Sequence, residues 1–178
     1  MVDTFLRPWD ADDAQSLQAA YVENVDLAPQ FGDADLSTVQ DAVHFIERAL
    51  TSSESRLSWA IVRNGSVVGN VGVSAIDRRH STAWLSYWLI TGARGGGLAT
   101  RAVRTVADHA FREGLFRLEL GHRVNNPASC GVATRAGFLP EGIERQKLAY
   151  GDDRFDVELH ARLATDPAPD GDLLLPVR

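Results

Sequence analysis

Cysteine is almost missing from this chain. Cys130 stands alone among 178 residues, so no disulfide can form within the chain. That suits a reducing compartment, and the cytoplasm is the expected location. Long apolar runs are missing too. Nothing approaches the ~20 apolar residues of a membrane span, so no membrane partner is expected. The N-terminus has no basic segment leading into an apolar run, which argues against a signal peptide. Positive charge is scarce: 18 Lys and Arg face 24 Asp and Glu, a formal net charge of −6. Phosphate backbones need clustered Lys and Arg, so nucleic acid is not the expected partner. The acidic balance is compatible with a cationic ligand, although charge speaks to solubility first. Internal repeats are absent, and 44% apolar with 24% charged residues fits a single globular domain with a substantial core.

What is present reads as alternating strands and helices. A short strand at 4–7 stops at Pro8. A helix over 12–23 follows, capped by Asp10 or Asp12, with Ala14, Leu17, Ala20 and Tyr21 at helical spacing. Residues 24–35 read as a loop, and a second helix runs over 37–50. Asn64-Gly65 between two strand patterns marks a hairpin, because both turn positions need positive φ. The strand after it extends towards Ile76, with Gly69 or Gly72 marking a bulge. A fourth strand covers 82–90. It places Ala83, Leu85, Tyr87 and Leu89 on one face and Trp84, Ser86 and Trp88 on the other. The helix over 98–113 carries one continuous apolar stripe and ends at Gly114. A strand at 116–120 completes a strand–helix–strand crossover, so strands four and five should be parallel. Asn126 and Pro127 open a short helix that ends at Gly137. Two last strands, 138–148 and 155–163, are joined through Gly151-Asp152-Asp153. Residues 1–163 thus form one domain of class α/β (α+β), and 164–178 a flexible acidic tail, although Leu173-Leu174-Leu175 offers an apolar run for docking.

The most informative stretch is Arg94-Gly95-Gly96-Gly97-Leu98-Ala99-Thr100, at the turn from strand four into the long helix. The first N–H groups of a helix lack intrahelical partners, and its dipole puts positive potential in the same place. A pyrophosphate fits there, as it does at other glycine turns. A P-loop is excluded, since Gly97 is followed by Leu98-Ala99-Thr100 and not by Lys and a hydroxyl residue. A dinucleotide fingerprint fails because Thr100 stands where its third glycine belongs, although Glu119 lies near the expected acidic position. Taken alone, the turn also suits a tight connection with no ligand.

Arg94-x-x-Gly97-x-Ala99 resembles the Q/R-x-x-G-x-G/A signature of the GNAT acetyltransferase superfamily. The longer run from Tyr87-Trp88-Leu89 to Thr100 is similar to its RimJ/RimL branch, which acetylates ribosomal-protein N-termini and has relatives that act on other amines. A second match lies in Asn126-x-x-Ser129, Arg135-Ala136-Gly137-Phe138 and Glu141-Gly142. The resemblance covers about residues 4–163. It implies a mixed, twisted sheet of about seven strands with about four flanking helices, in which strands four and five are parallel and splay apart. It implies acetyl-CoA as acyl donor, coenzyme A as product and no metal. The acceptor would be a primary amine, on a protein N-terminus or a small molecule, attacked directly in a ternary complex. Many relatives pair as homodimers. The rival readings are a non-catalytic acyl-CoA-binding domain of the same fold and an unrelated nucleotide-binding protein.

The resemblance also assigns sites. The backbone of Trp88, Leu89 and Ile90 would pair with the pantetheine arm. Gly95, Gly96, Gly97, Leu98, Ala99 and Thr100 would hold the pyrophosphate, with Arg94 adding charge or facing solvent. Asn126 would touch the pantetheine and Ser129 would help protonate the departing thiolate, while a plain helix cap and a first-turn residue explain the same two identities. Some RimL-like enzymes carry a basic Glu where this chain has Trp84, which cannot accept a proton. Glu119, His122 or a water on backbone carbonyls are the candidate bases. His44, His80 and His160 suit helix-flank, turn and packing roles. Cys130 reads as a small buried hydrophobe. Trp84 and Trp88 read as sheet packing or as an aromatic wall for a cationic amine. Asp26 and Asp33, in the 24–35 loop, would attract an amine or simply be solvated.

Overall fold

The computed structural model describes residues 3–170 and 174–178. Seven strands form one sheet in the order β1-β2-β3-β4-β5-β7-β6. These are β1 Thr4–Arg7, β2 Leu57–Arg63, β3 Ser66–Asp77, β4 Thr82–Leu89, β5 Arg117–Arg123, β6 Leu139–Tyr150 and β7 Asp153–Leu163. The helices are α1 Ala14–Glu23, α2 Val39–Phe45, α3 Leu98–Arg112 and α4 Pro127–Arg135. Every neighbouring pair of strands is antiparallel except β4 and β5.

The local reasons for these elements are mostly those the sequence advertises. Asp10 accepts from Asp12 N–H and, with Asp13, forms a capping box on the short turn that leads into α1. Asn126 Oδ1 accepts Ser129 N–H and Pro127 fills the first turn of α4. The second helix is shorter than expected: Thr38 caps it through Asp41 N–H, and from Ile46 to Leu50 it widens into a single π-type turn. The 24–35 loop contains a short 3-10 segment, Val25–Gln30. Strand β5 runs to Arg123, three residues beyond its expected end, and carries His122 inside the sheet.

Gly69 marks a bulge in β3, as expected, and both it and Gly72 have a further reason. The bulge in β3 falls where Ile61 pairs with Gly69 but Val62 pairs with Val67. A Cβ on Gly69 would lie 2.3 Å from Trp88 O, and one on Gly72 2.5 Å from Leu57 O. Both glycines therefore allow neighbouring strands to approach.

Two apolar layers cover the sheet. On one face α3 buries Leu98, Ala102, Val103, Val106, Ala107 and Ala110 against Val71, Val73, Leu85 and Leu118. At ~1.5–3 kcal/mol for each fully buried large aliphatic side chain, this stripe anchors the helix. On the other face Leu17 of α1, Phe31 and Leu36 of the segment joining α1 to α2, and Ile46 at the end of α2 pack against Ala60, Val62 and Trp88.

The expected flexible tail is corrected at its end. Leu175 is 3% exposed in the α3-side core, and its N–H donates to Thr105 Oγ1 at 2.9 Å. Leu6 N–H donates to Pro176 O, and Arg178 N–H to Leu6 O, each at 2.8 Å. Val177 thereby bridges β1 in parallel. An apolar residue with satisfied backbone groups has every reason to dock despite the polar composition around it. Of the expected docking run, Leu173 lies outside the described residues.

Candidate active site

Strands β4 and β5 pair only through Thr82/Arg117, Ala83/Leu118 and Trp84/Glu119. Beyond that register, among the described residues, no ladder joins them, so a gap opens between Leu85–Leu89 and Leu120–Arg123. Its polar lining follows from the β3 ladder. Ile90 N–H donates to Val68 O at 3.0 Å. Antiparallel alternation then turns the Trp88 backbone towards β3 as well, and leaves Tyr87 and Leu89 facing the gap. The expected pantetheine contacts thus narrow to Leu89: the Trp88 backbone pairs with Asn70 of β3, and Ile90 gives its N–H to Val68 O and its carbonyl to Ala93 N–H. The Leu89 carbonyl accepts Arg94 Nε–H at 2.9 Å.

The glycine turn closes the end of the gap. Gly97 is left-handed at φ 74° and caps α3 with no side-chain hydrogen bond. The first intrahelical bond is Arg101 N–H to Gly97 O, so the N–H groups of Leu98, Ala99 and Thr100 have no helical acceptor. Gly95 and Gly96 are open: a Cβ on either meets nothing within 4 Å. Thr100 Oγ1 is buried and without a partner, one of two such side-chain atoms among the described residues. An uncapped helix start, a bare glycine turn and an orphaned hydroxyl fit an anion. Arg94 is not the free cation expected. Its guanidinium reaches Asp26 at 2.6 Å, tying the turn to the 3-10 segment.

Across the gap, on the α3–α4 face, Tyr87 Oη and Ser129 Oγ lie 2.7 Å apart. Burial holds the Tyr87 phenol above its ordinary value, with the Ser129 hydrogen bond and the Arg135 charge acting in the opposite direction. The phenol therefore stays neutral at physiological pH and can donate. Sequence reading placed Tyr87 on the right face of β4 but gave it no role. Asn126, with Oδ1 used in capping Ser129, keeps its Nδ2 group for other acceptors.

On the opposite face is a cavity of about 300 Å³. Phe31, Phe45 and Trp88 form its apolar walls, and Ser58, Asn70, Ser74 and Ser86 its polar ones. Asn70 is oriented by two donors to Oδ1, Trp9 Nε1–H and Ser58 Oγ–H, each at 2.8 Å. Among the described residues no carboxylate lines this cavity, and Arg56 is its one charged side chain. Trp88 packs 5.5 Å from Phe31 and 6.2 Å from Trp9 and also walls the cavity. Trp84 lies instead over Gly121, with Lys147 Nζ 5.4 Å from its ring centre. Asp33 is absent from the cavity lining.

Neither candidate base faces this space freely. Glu119 accepts from Arg117 Nε at 2.7 Å, and the same guanidinium binds Glu141. Those two carboxylates raise the Arg117 pKa, and Arg117 holds Glu141 below the ordinary carboxylate value. His122 is buried: its Nε2 is 3.1 Å from His160 Nε2, and its Nδ1 is 3.0 Å from Arg123 O. Cys130 is half-buried beside this pair and not in the apolar core.

Residues 3–139 match the family model described as the acetyltransferase (GNAT) domain. The chain is 30% identical over 139 residues to the ribosomal-protein-serine acetyltransferase of Escherichia coli (strain K12), covering 76% of this chain and 75% of that protein. It is 31% identical over 153 residues to the probable N-acetyltransferase YjcK of Bacillus subtilis (strain 168), covering 81% and 84%. Among solved structures it resembles the microcin C7 self-immunity acetyltransferase MccE in complex with acetyl-CoA and AMP, with a TM-score of 0.82, 23% identity and coverage of 90% and 92%. It also resembles Mycobacterium smegmatis RimJ in complex with CoA-disulfide, with a TM-score of 0.80, 25% identity and coverage of 90% and 82%.

Proposed function

The chain belongs to the GNAT acetyltransferase family, and from that premise we propose that it moves an acetyl group from acetyl-CoA to the α-amine of a peptide or protein N-terminus in the cytoplasm. The observation that carries this reading is the gap between β4 and β5. An uncapped helix start lies at its end, the Tyr87–Ser129 pair on one face of the sheet, and a small cavity walled by Ser86 and Trp88 of β4 on the other.

Acetyl-CoA supplies an already activated thioester, so the protein's task is mainly alignment. The free N–H groups of Leu98, Ala99 and Thr100, with the open Gly95 and Gly96, hold the pyrophosphate. The Tyr87 and Leu89 backbone, and Asn126 Nδ2, line the pantetheine path. Ser129, hydrogen-bonded to a neutral Tyr87, donates a proton to the departing thiolate; Tyr87 resupplies Ser129 and regains its own proton from solvent, which also takes the proton shed by the attacking nitrogen. The acceptor amine enters from the cavity face, opposite Ser129. With Glu119 held by Arg117 and His122 buried against His160, no side chain of the cavity takes the ammonium proton. The amine therefore reaches the thioester as the free base, drawn from its own solution equilibrium. Direct attack is favoured because the chain's one cysteine, Cys130, lies with His122, Glu158 and His160 and is absent from the cavity lining.

The cavity also selects among acceptors. A polyamine brings several positive charges and needs carboxylates to replace its hydration. This cavity has none and presents Arg56. Its volume and its Ser58, Asn70 and Ser86 groups suit a small first residue of a peptide, as the name of the E. coli relative also suggests. The test compares kcat/KM for a serine-initiated peptide, the same peptide with a blocked α-amine, and spermidine. The reading expects turnover of the first alone. Preference for spermidine would overturn the acceptor assignment.

A further inference from the structure

Four side chains outside the transfer machinery converge from three elements: His122 on β5, Cys130 on α4, and Glu158 and His160 on β7. Strand register brings them together, since β7 inserts between β5 and β6 and sets His122 opposite Glu158. One ligating atom from each of the four lies within 4.8 Å of all the others. The inner contacts are tighter: His122 Nε2 to His160 Nε2 is 3.1 Å, and Glu158 Oε2 is 3.2 Å and 3.1 Å from them.

The outer sides of the two rings fix what the inner sides present. His122 Nδ1 is 3.0 Å from Arg123 O, and His160 Nδ1 is 3.3 Å from Phe138 O. A backbone carbonyl only accepts, so each Nδ1 carries a hydrogen, and in the neutral ring each Nε2 then turns a lone pair inward. The carboxylate adds a third electron-rich atom. Three such atoms at these separations repel one another unless a proton or a metal cation lies between them. A ring N–H given to a carbonyl while the other nitrogen faces inward is the arrangement of metal-bound histidine.

We propose that His122, Cys130, Glu158 and His160 form a divalent-metal site, with Zn²⁺ the ion best matched to it. Two imidazoles, a thiolate and a carboxylate suit a borderline-soft ion and not Ca²⁺ or Mg²⁺, which take oxygen shells. Bond lengths of about 2.0–2.3 Å in a tetrahedron put the ligand atoms ~3.3–3.7 Å apart. The three inner contacts need to open by only a few tenths of an ångström to reach that size. Cys130 loses its thiol proton to solvent on binding. Half-buried Cys130 and Glu158 leave an entry path, while His122 and His160 are 7% and 1% exposed. The ion would clamp β5 and β7 to α4, the helix that carries Ser129. Acetyl transfer itself does not require it, so this site stands or falls apart from the proposed activity.

The test uses untagged full-length protein, stripped with a chelator and then titrated with Zn²⁺ or Co²⁺ in the absence of acetyl-CoA. One equivalent of Zn²⁺ should bind and raise the melting temperature. Bound Co²⁺ should show the intense visible bands of tetrahedral geometry and a near-ultraviolet thiolate charge-transfer band. Because Cys130 is the chain's one cysteine, that band reports it alone. Cys130→Ser, at a half-exposed position, should fold, lose the charge-transfer band and bind Zn²⁺ at least tenfold more weakly. His160→Asn should abolish stoichiometric binding. If His160→Asn does not fold, the Co²⁺ spectrum of the wild type decides. Sub-stoichiometric binding, or Co²⁺ binding without a thiolate band, would overturn the site and leave a hydrogen-bonded cluster in its place.

Discussion

Gly96→Glu separates cofactor binding from folding more cleanly than any other change in the glycine turn. Gly97 is a poor choice because its φ of 74° strains any side chain. Gly96 lies outside the left-handed region, is exposed, and an added Cβ meets nothing within 4 Å. The substitution should therefore change the stability of the ligand-free protein by no more than ~0.5 kcal/mol, as for other surface positions. Its carboxylate would stand beside the uncapped N–H groups of α3, where the pyrophosphate belongs. Occupation of that site at 100 times Kd stabilises the wild type by ~2.7 kcal/mol. At ~2–4 °C per kcal/mol for a chain of this size, acetyl-CoA should raise Tm by about 5–11 °C. The assay is a thermal-shift series with acetyl-CoA, ATP and NAD. The wild type should respond to acetyl-CoA alone, and Gly96→Glu should melt like the unliganded wild type with or without it. A full acetyl-CoA shift in the variant would refute the placement of the pyrophosphate. A shift with NAD and none with acetyl-CoA would refute the cofactor.

The remaining predictions concern chemistry and packing. Ser129→Ala should lower kcat by on the order of a hundredfold while leaving acetyl-CoA affinity near normal, and Tyr87→Phe should lower kcat less; steady-state kinetics with direct binding separates the two quantities. Since burial raises the Tyr87 pKa above that of an ordinary phenol, the alkaline fall in rate should come at higher pH than a free phenol would give. With no side chain taking the ammonium proton, the acidic limb of kcat/KM should follow the acceptor, near its α-amino pKa of ~7.7–8.0. A limb that stays fixed when the acceptor is changed would reveal an enzymic base. Leu175→Ala should cost ~2–5 kcal/mol in urea unfolding, because it empties a core position that α3 and β1 enclose.

The fold was legible where the cause is local. The stripe of α3, the Asn64-Gly65 turn, the Asn126 cap and the period-two faces of β4 are written within short windows, and the structure has each of them. The glycine turn and the parallel β4–β5 pair were legible for the same reason. Misreadings occur where the cause is tertiary. Gly72 looks like a bulge marker until the approach of β2 is known, whereas the bulge falls beside Gly69. Leu175 sits among prolines and aspartates, and its partner Thr105 is 70 residues away. Tyr87 was placed on the correct face, but Ser129 lies 42 residues downstream on another element. Arg94 looked like a cofactor cation because nothing in its neighbourhood points to Asp26, 68 residues earlier. His122 looked like a base because its burial depends on β7 lying beside β5, which no local pattern fixes.

The central claim is acetyl transfer to an α-amine, and intact-mass spectrometry tests it most directly. A serine-initiated peptide is incubated with acetyl-CoA and the wild-type chain, with Gly96→Glu and Ser129→Ala in parallel. The account predicts one acetyl group per peptide, placed on the α-nitrogen by fragmentation, none with Gly96→Glu and a much slower gain with Ser129→Ala. Tight acetyl-CoA binding with no acetylation of this peptide or any other amine offered would contradict the account and favour a domain that binds acyl-CoA without using it.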